Sequence, residues 1–258
     1  MHAHASWAYS SDAERASAVT EWLREGIELG QRALYVGEGT TTELRNDLRD
    51  LEDRDRREAE GALVVLPHTS VYDLSAPIDP ATQLAAYDQV VQHAIKDGYS
   101  GARVAADITP LVEDPARRTS HLAWEQYADR YIAEQPLAPM CLHDTRRVQG
   151  DDIDAIACVH ARQRPGEPLF ALYGTGAGRA RLEGEIDGCN APVLALALAA
   201  MPPTSRIDIS GLEFLDGHGA WTLHTELTRR PHTTLTNPPP QVRRVWRLCG
   251  LDPSPLVG

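Results

Sequence analysis

Ten histidines, four cysteines and a set of hydroxyls and carboxylates at the ends of apolar segments are the residues here with chemistry to offer. Imidazole is the commonest metal ligand. His2 and His4 share the i, i+2 spacing of one strand face, but no HExxH and no paired Cys/His spacing accompanies them. No native metal site and no cofactor are therefore expected. Cys141 and His143 stand two apart on one strand face, as a thiol and its base would. Nucleophilic catalysis also needs a group that orients the base, and none is evident. Ser10 and Ser11 lack the glycines of a nucleophile elbow, and capping a helix accounts for them. The stretch LEFLDGHGAW places His218 between Gly217 and Gly219, after Asp216, where an apolar run gives way to a helix. No catalytic set emerges, and the chain is not expected to be an enzyme.

The elements that must position these residues alternate. HASWAY (His4–Tyr9) reads as a strand, and SSDAERASAVTEWLREGIELG as a helix with Ala16, Val19, Leu23 and Ile27 on one face. Ser11 and Glu14 have capping-box spacing, and Gly30 is a stop. Strand RALYVG, helix TTELRNDLRDL, strand ALVVLP and helix DPATQLAAYDQVVQHAIKDG follow. Next come strand GARVAAD, a helix over about 117–134, strand APMCLHD, a short helix near 152–160 and strand PLFALYG. The charge run DRDRREAE reads as a solvated helix end or loop. Alternation of this kind predicts a largely parallel sheet with helices on both faces, and ligands then sit beyond the carboxyl ends of the strands. Tyr9, Ser10, Ser11, Glu38, His68, Tyr72, Asp107, His143 and Asp144 stand where strands run out, and they are the candidate ligand-binding residues. Tyr9, His68, Tyr72, Asp107 and His143 are expected to approach one cavity there. YGTGAGRA has three glycines and little to pack, so 174–179 reads as a linker between a first domain, 1–173, and a second, 180–258. The second part alternates shorter strands and helices.

Composition sets the outer bounds. The chain has 258 residues, 42% hydrophobic and 24% charged, with a formal charge of −12. Gly174 onward holds eight arginines and eight acids, so the whole imbalance lies before it. An acidic surface repels phosphate backbones, and no direct nucleic-acid binding is expected. No apolar run approaches the roughly 18 residues that span a membrane. The opening MHAHASWAYSSDAE lacks a basic segment and an apolar core, so no secretory leader is expected. Cys141, Cys158, Cys189 and Cys249 lie far apart with no CxxC, which fits a reducing cytosol.

Three stretches of the first part resemble the MEDS sensory domain, a degenerate relative of RecA- and KaiC-type ATPases. They are the opening strand with SSDAERA, then WLREGIELGQRALYV, then GYSGARV with the later CLHD. The resemblance implies a RecA-like fold and a pocket that senses a small molecule. The ATPase relatives carry a P-loop, whose glycines and lysine hold phosphate. Here YSSDAERA stands in its place, with Asp12 and Glu14 but no glycine or lysine, and Lys96 is the only lysine of the chain. ATP binding is therefore not expected.

GEID, DISGLEFLDGHG and NPPPQVRRVWRLCGL resemble a STAS domain, the fold of anti-sigma factor antagonists. That resemblance implies docking to an anti-sigma factor or another signalling protein through Asp216, Gly217, His218 and Gly219. Family members are switched by phosphorylation of a serine at the position of His218, so this chain lacks the hydroxyl that accepts phosphate. The expected function is that of a cytosolic signalling regulator, with self-association left open. The rival readings are an oligomeric scaffold without a ligand and an enzyme that reused the emptied pocket.

Overall fold

The computed structural model describes residues 4–164 and 169–257; His2 falls outside them. The first part runs β1 (Ala5–Tyr9), α1 (Asp12–Glu28), β2 (Arg32–Gly37), α2 (Thr41–Asp47), α3 (Arg54–Ala59), β3 (Leu63–Pro67) and α4 (Pro80–Lys96). It continues with β4 (Ala102–Asp107), α5 (Thr109–Val112), α6 (Pro115–Ile132), β5 (Leu137–Asp144), α7 (Asp151–Cys158) and β6 (Arg162–Arg164). These six strands form one sheet in the order β3-β2-β4-β5-β1-β6, with every neighbouring pair parallel. The expected α/β fold is the one observed. β4 and β5 are buried at every position, and apolar residues fill them apart from Arg103 and the strand-end Asp107, His143 and Asp144.

Side-chain alternation divides the sheet into two faces. Tyr35, Ala105, Met140 and Leu142 pack with Val19 and Leu23 of α1 and Leu44 of α2. Leu34, Val104, Ala106 and Cys141 point the other way and pack with Trp124 and Ala128 of α6 and Ile156 of α7. Ser11 caps α1 by accepting from the Glu14 amide at 3.2 Å. The box is incomplete, because Glu14 reaches back to the Ser10 amide at 2.6 Å and not to that of Ser11. Gly30, at φ +72, ends the helix in the left-handed conformation that glycine adopts without strain. DRDRREAE forms the short α3, which buries none of its residues.

A second sheet follows: β7 (Phe170–Gly176), β8 (Arg179–Ile186), α8 (Ala191–Ala200), β9 (Arg206–Leu215), α9 (Gly217–Thr228), β10 (Thr234–Thr236), α10 (Pro240–Leu248) and β11 (Leu256–Val257). Its order is β11-β10-β9-β8-β7, antiparallel between β7 and β8 and parallel elsewhere. Here the linker reading needs correction. Residues 174–179 are the tip of the β7–β8 hairpin, with Gly176 at φ +130 and Gly178 at φ +67. The glycines serve a tight turn and not a spacer, and PLFALYG belongs to the second sheet. The chain changes sheets between β6 and β7.

Helix α6 is common to both parts. The Gln126 side chain donates to the Ala197 carbonyl of α8 at 2.8 Å, and Arg130 donates to the Pro203 carbonyl at 2.9 Å. Gly174 of β7 comes so close to α6 that a Cβ there would stand 3.0 Å from that of Asp129. One apolar cluster runs from Val104 and Trp124 through Leu172 to Leu194, Ile209 and Trp246. Among the described residues no helix is long and apolar enough to cross a membrane.

Candidate functional site

The carboxyl ends of the strands hold a network of paired charges. The Tyr9 hydroxyl donates to Asp107 Oδ2 at 2.6 Å, and Asp107 Oδ1 accepts from the Thr109 hydroxyl at 2.6 Å and its amide at 3.0 Å. Burial, with the Asp107 charge beside it, pushes the Tyr9 phenol up. Asp144 takes a two-pronged grip from Arg146, Nε to Oδ1 at 2.8 Å and Nη2 to Oδ2 at 2.6 Å. That guanidinium holds the Asp144 carboxyl below its usual range and also reaches Asp12 at 2.9 Å. Ser10 donates to Glu14. Glu38 pairs with Arg147, which also binds Glu113 at 2.7 Å. Sequence reasoning picked the acids here but not their cationic partners, Arg146 and Arg147. The neighbouring surface hollow, lined by Asp12, Arg15, Glu38, Glu43 and Asp47, lies where a P-loop would hold phosphate. Acids outnumber bases in it, which disfavours a triphosphate.

The five residues expected to approach one cavity do not share one face of the sheet. Tyr9 and Asp107 occupy the α1 face and bond to each other, while His143 pairs in register with Ala8 and faces α6. Period-two alternation is the reason, since Leu142 and His143 are adjacent on one strand and must point to opposite faces. His68 and Tyr72 stand together beyond β3, with ring centroids 6.1 Å apart. Burial pushes the His68 imidazole down, against the pull of Asp107.

The α6 face carries a denser cluster that the sequence reading missed. His4, Glu125, Cys141 and His160 bring one ligating atom each to within 4.8 Å of one another, and all four are buried. His4 Nε2 lies 3.2 Å from Glu125 Oε2 and 3.5 Å from Cys141 Sγ. His160 Nε2 lies 3.8 Å from the same Glu125 oxygen. His4 Nδ1 is 2.7 Å from Asp129 Oδ1, and Asp129 Oδ2 accepts from the Gly174 amide at 3.0 Å. His160 Nδ1 donates to the Ile156 carbonyl at 2.8 Å. His121 Nε2 lies 2.5 Å from Glu125 Oε1. Burial opposes charge on His4, but Asp129, joined by Cys141 and Glu125, outweighs it and holds the imidazole well above its usual range. Burial pushes the His160 imidazole down to about 3 and that of His143 to about 4. It pushes the Cys141 thiol up to about 12, with Glu125 adding to the effect. A thiol so held is a poor nucleophile. Glu125 belongs to α6 and Cys141 to β5, while His4 just precedes β1 and His160 just follows α7, so no local spacing could announce them. The available signal was His121, Glu125 and Asp129 at intervals of four on one predicted helix.

In the second sheet Asp216 is the N-cap of α9. It accepts from the Gly219 amide at 2.8 Å and from the Gly188 amide at 3.0 Å. The helix begins at Gly217, and the His218 side chain is 82% exposed. Neither flanking glycine has positive φ. Gly219 is required by close approach instead, because a Cβ there would stand 2.6 Å from Ile186 Cγ2. His218 and Trp221 form one wall of an open groove whose other wall is Ala191, Pro192 and Ala195 of α8.

A six-stranded parallel sheet flanked by helices, followed by a smaller mixed sheet, defines an α/β protein. Residues 3–161 match the family model MEDS, the methanogen/methylotroph, DcmR sensory domain, and the chain belongs to that family. The match gives it a sensory role. No curated protein and no solved structure matches the chain. Two of the stretches that carry the family pattern meet in space. A Cβ on Gly26 of WLREGIELG would stand 2.5 Å from the Cβ of Arg103 in GYSGARV, and the Ser100 amide donates to the Gly30 carbonyl at 2.9 Å.

Proposed function

We propose that this chain is a cytosolic signalling regulator without enzymatic activity. Its MEDS part binds a small molecule, and its second part docks, as a STAS-like module, to a protein of the anti-sigma factor class. The observation that carries the docking reading is the exposed apolar groove beside an Asp-capped helix N-terminus. Trp221 is 54% exposed there, and Phe214 on the preceding strand is 47% exposed. Large aromatic side chains held open to water beside a groove are the usual anchors of an interface. Coupling runs through α6, which touches β7 and α8 on one side and the sensory sheet on the other. A ligand that favours one packing of α6 shifts the fraction of molecules able to dock.

The test is direct binding of the purified chain to each anti-sigma factor of its host by calorimetry. Trp221→Ser is expected to weaken the complex by about 2 kcal/mol or more, roughly thirtyfold. Incubation with the cognate kinases is expected to leave position 218 unmodified, with His218→Ser restoring phosphorylation. Equal binding by wild type and Trp221→Ser, or no binding by any candidate, would remove the reading.

Nucleotide chemistry is excluded on the same reading. Mg-ATP is expected to show no binding tighter than about millimolar, because Asp12, Glu38 and Asp47 line the hollow and no lysine reaches it. Isothermal titration at low salt decides, and a micromolar Kd would contradict it.

A further inference from the structure

We propose that the buried cluster between β1, β5, α6 and α7 is a metal site. It takes one divalent ion of the zinc class through His4 Nε2, Glu125 Oε2, Cys141 Sγ and His160 Nε2.

Three observations carry the inference. The first is which nitrogens are left bare. A carbonyl oxygen only accepts, so His160 must carry its proton on Nδ1, facing Ile156, and its Nε2 presents a lone pair to the cluster. His4 likewise turns Nδ1 to the Asp129 carboxylate, which leaves Nε2 for the cluster. A metal-binding histidine has its second nitrogen fixed in this way, by a carboxylate or a backbone carbonyl, and here both do.

The second is an unanswered atom. His160 Nε2 is buried and makes no hydrogen bond among the described residues, and it stands 3.8 Å from Glu125 Oε2, whose nearest cationic neighbour is His4 Nε2 at 3.2 Å. The His160 lone pair facing the Glu125 carboxylate is repulsive until a cation lies between them, and leaving such groups buried and unpaired is costly.

The third is size. Bonds of about 2.0–2.3 Å in a tetrahedron place ligand atoms about 3.3–3.8 Å apart. The separations through His4 Nε2 and Glu125 Oε2 are 3.2, 3.5 and 3.8 Å. Binding displaces the protons of the Cys141 thiol and of His4 Nε2, and the thiolate, carboxylate and two neutral imidazoles then bring two negative charges, which a divalent ion neutralises inside the core. The metal reverses the preference of the Cys141 thiol for its proton, since a coordinating thiol is deprotonated. Sulfur and imidazole ligands select zinc-like ions over magnesium or calcium. Asp129 then links the site to the second sheet, because the carboxylate that orients His4 also receives the Gly174 amide.

The experiment uses the whole chain, purified without a histidine tag, with metal measured by mass spectrometry. An equimolar zinc-class ion that survives dialysis against EDTA at neutral pH is expected. Exchange for Co2+ should give a near-ultraviolet sulfur-to-cobalt band and the intense visible absorption of a tetrahedral site. Cys141→Ser should abolish the sulfur band. The Cys189→Ser/Cys249→Ser double variant, which removes the two thiols outside the core, should keep it. Folded wild-type protein that holds no metal as isolated and takes up no Co2+ overturns the proposal. So does loss of the band in the double variant, or its persistence in Cys141→Ser. The double variant decides even if the core substitution fails to fold. Partner binding is not part of the readout, so the docking reading stands or falls separately.

Discussion

Asp129→Ala is expected to destabilise the protein by about 3–5 kcal/mol, the range for removing one member of a buried charged pair. Asp129 is 0% exposed and receives both the His4 ring and the Gly174 amide. Alanine leaves those two donors buried together with the space the carboxyl filled. Asp129→Asn keeps an oxygen for one donor and is expected to cost less. Urea unfolding followed by circular dichroism measures both, with the midpoint shifting more than the slope. A loss of under about 1 kcal/mol for alanine would mean that the His4–Asp129 contact contributes little. The effect should extend to the second sheet, because the Gly174 amide belongs to β7.

A fragment ending at Tyr173, where the sequence suggested a boundary, is expected not to fold to a native state. It would carry half of the β7–β8 hairpin and none of α8. Val193, Leu194, Ala197 and Leu198 of α8 are buried in the cluster that also holds Trp124 and Ile156 of the sensory part. Each larger aliphatic among them is worth about 1.5–3 kcal/mol when covered. Their joint loss is comparable with the whole stability of a domain, about 5–15 kcal/mol. The fragment should bind hydrophobic dyes and lose its near-ultraviolet circular dichroism. A cooperative urea transition at the midpoint of the full chain would show that the sensory part is independent after all.

Much of the fold was legible because its signals are local. α1 follows from Ala16, Val19 and Leu23 at helical spacing, with Ser11 as cap and Gly30 as stop. β4 and β5 follow from apolar runs too short for helices. The linker was misread because a glycine-rich turn has the same composition whether it separates two bodies or closes a hairpin. Only pairing decides, and Tyr173 pairs with Arg181. The candidate site was half legible. Strand ends are marked by where apolar runs stop, so Tyr9, Asp107 and Asp144 could be found. Which face each residue takes depends on register, and that separated His143 from Tyr9. His4, Glu125, Cys141 and His160 span most of the first part, and nothing in their spacing brings them together. The sheet does so, by placing β1 against β5 and β6.

The position of β1 also governs how the chain is made. Ala5 pairs with Met140 on one side and with Arg162 on the other. β1 leaves the ribosome well before β5 and β6, and therefore has no neighbour until most of the sensory part has been translated. At about 5–20 residues per second that wait is on the order of ten seconds, far longer than the microseconds in which a helix such as α1 forms. During it, Trp7 and Tyr9 lie on an unpaired strand with open edges on both sides, a configuration prone to pairing with the wrong chain. Nascent chains stalled before β5 should therefore be the aggregating species and the natural clients of a chaperone. Fusions that slow the release of the N-terminus should harm the yield of soluble protein less than truncations that remove β5 or β6.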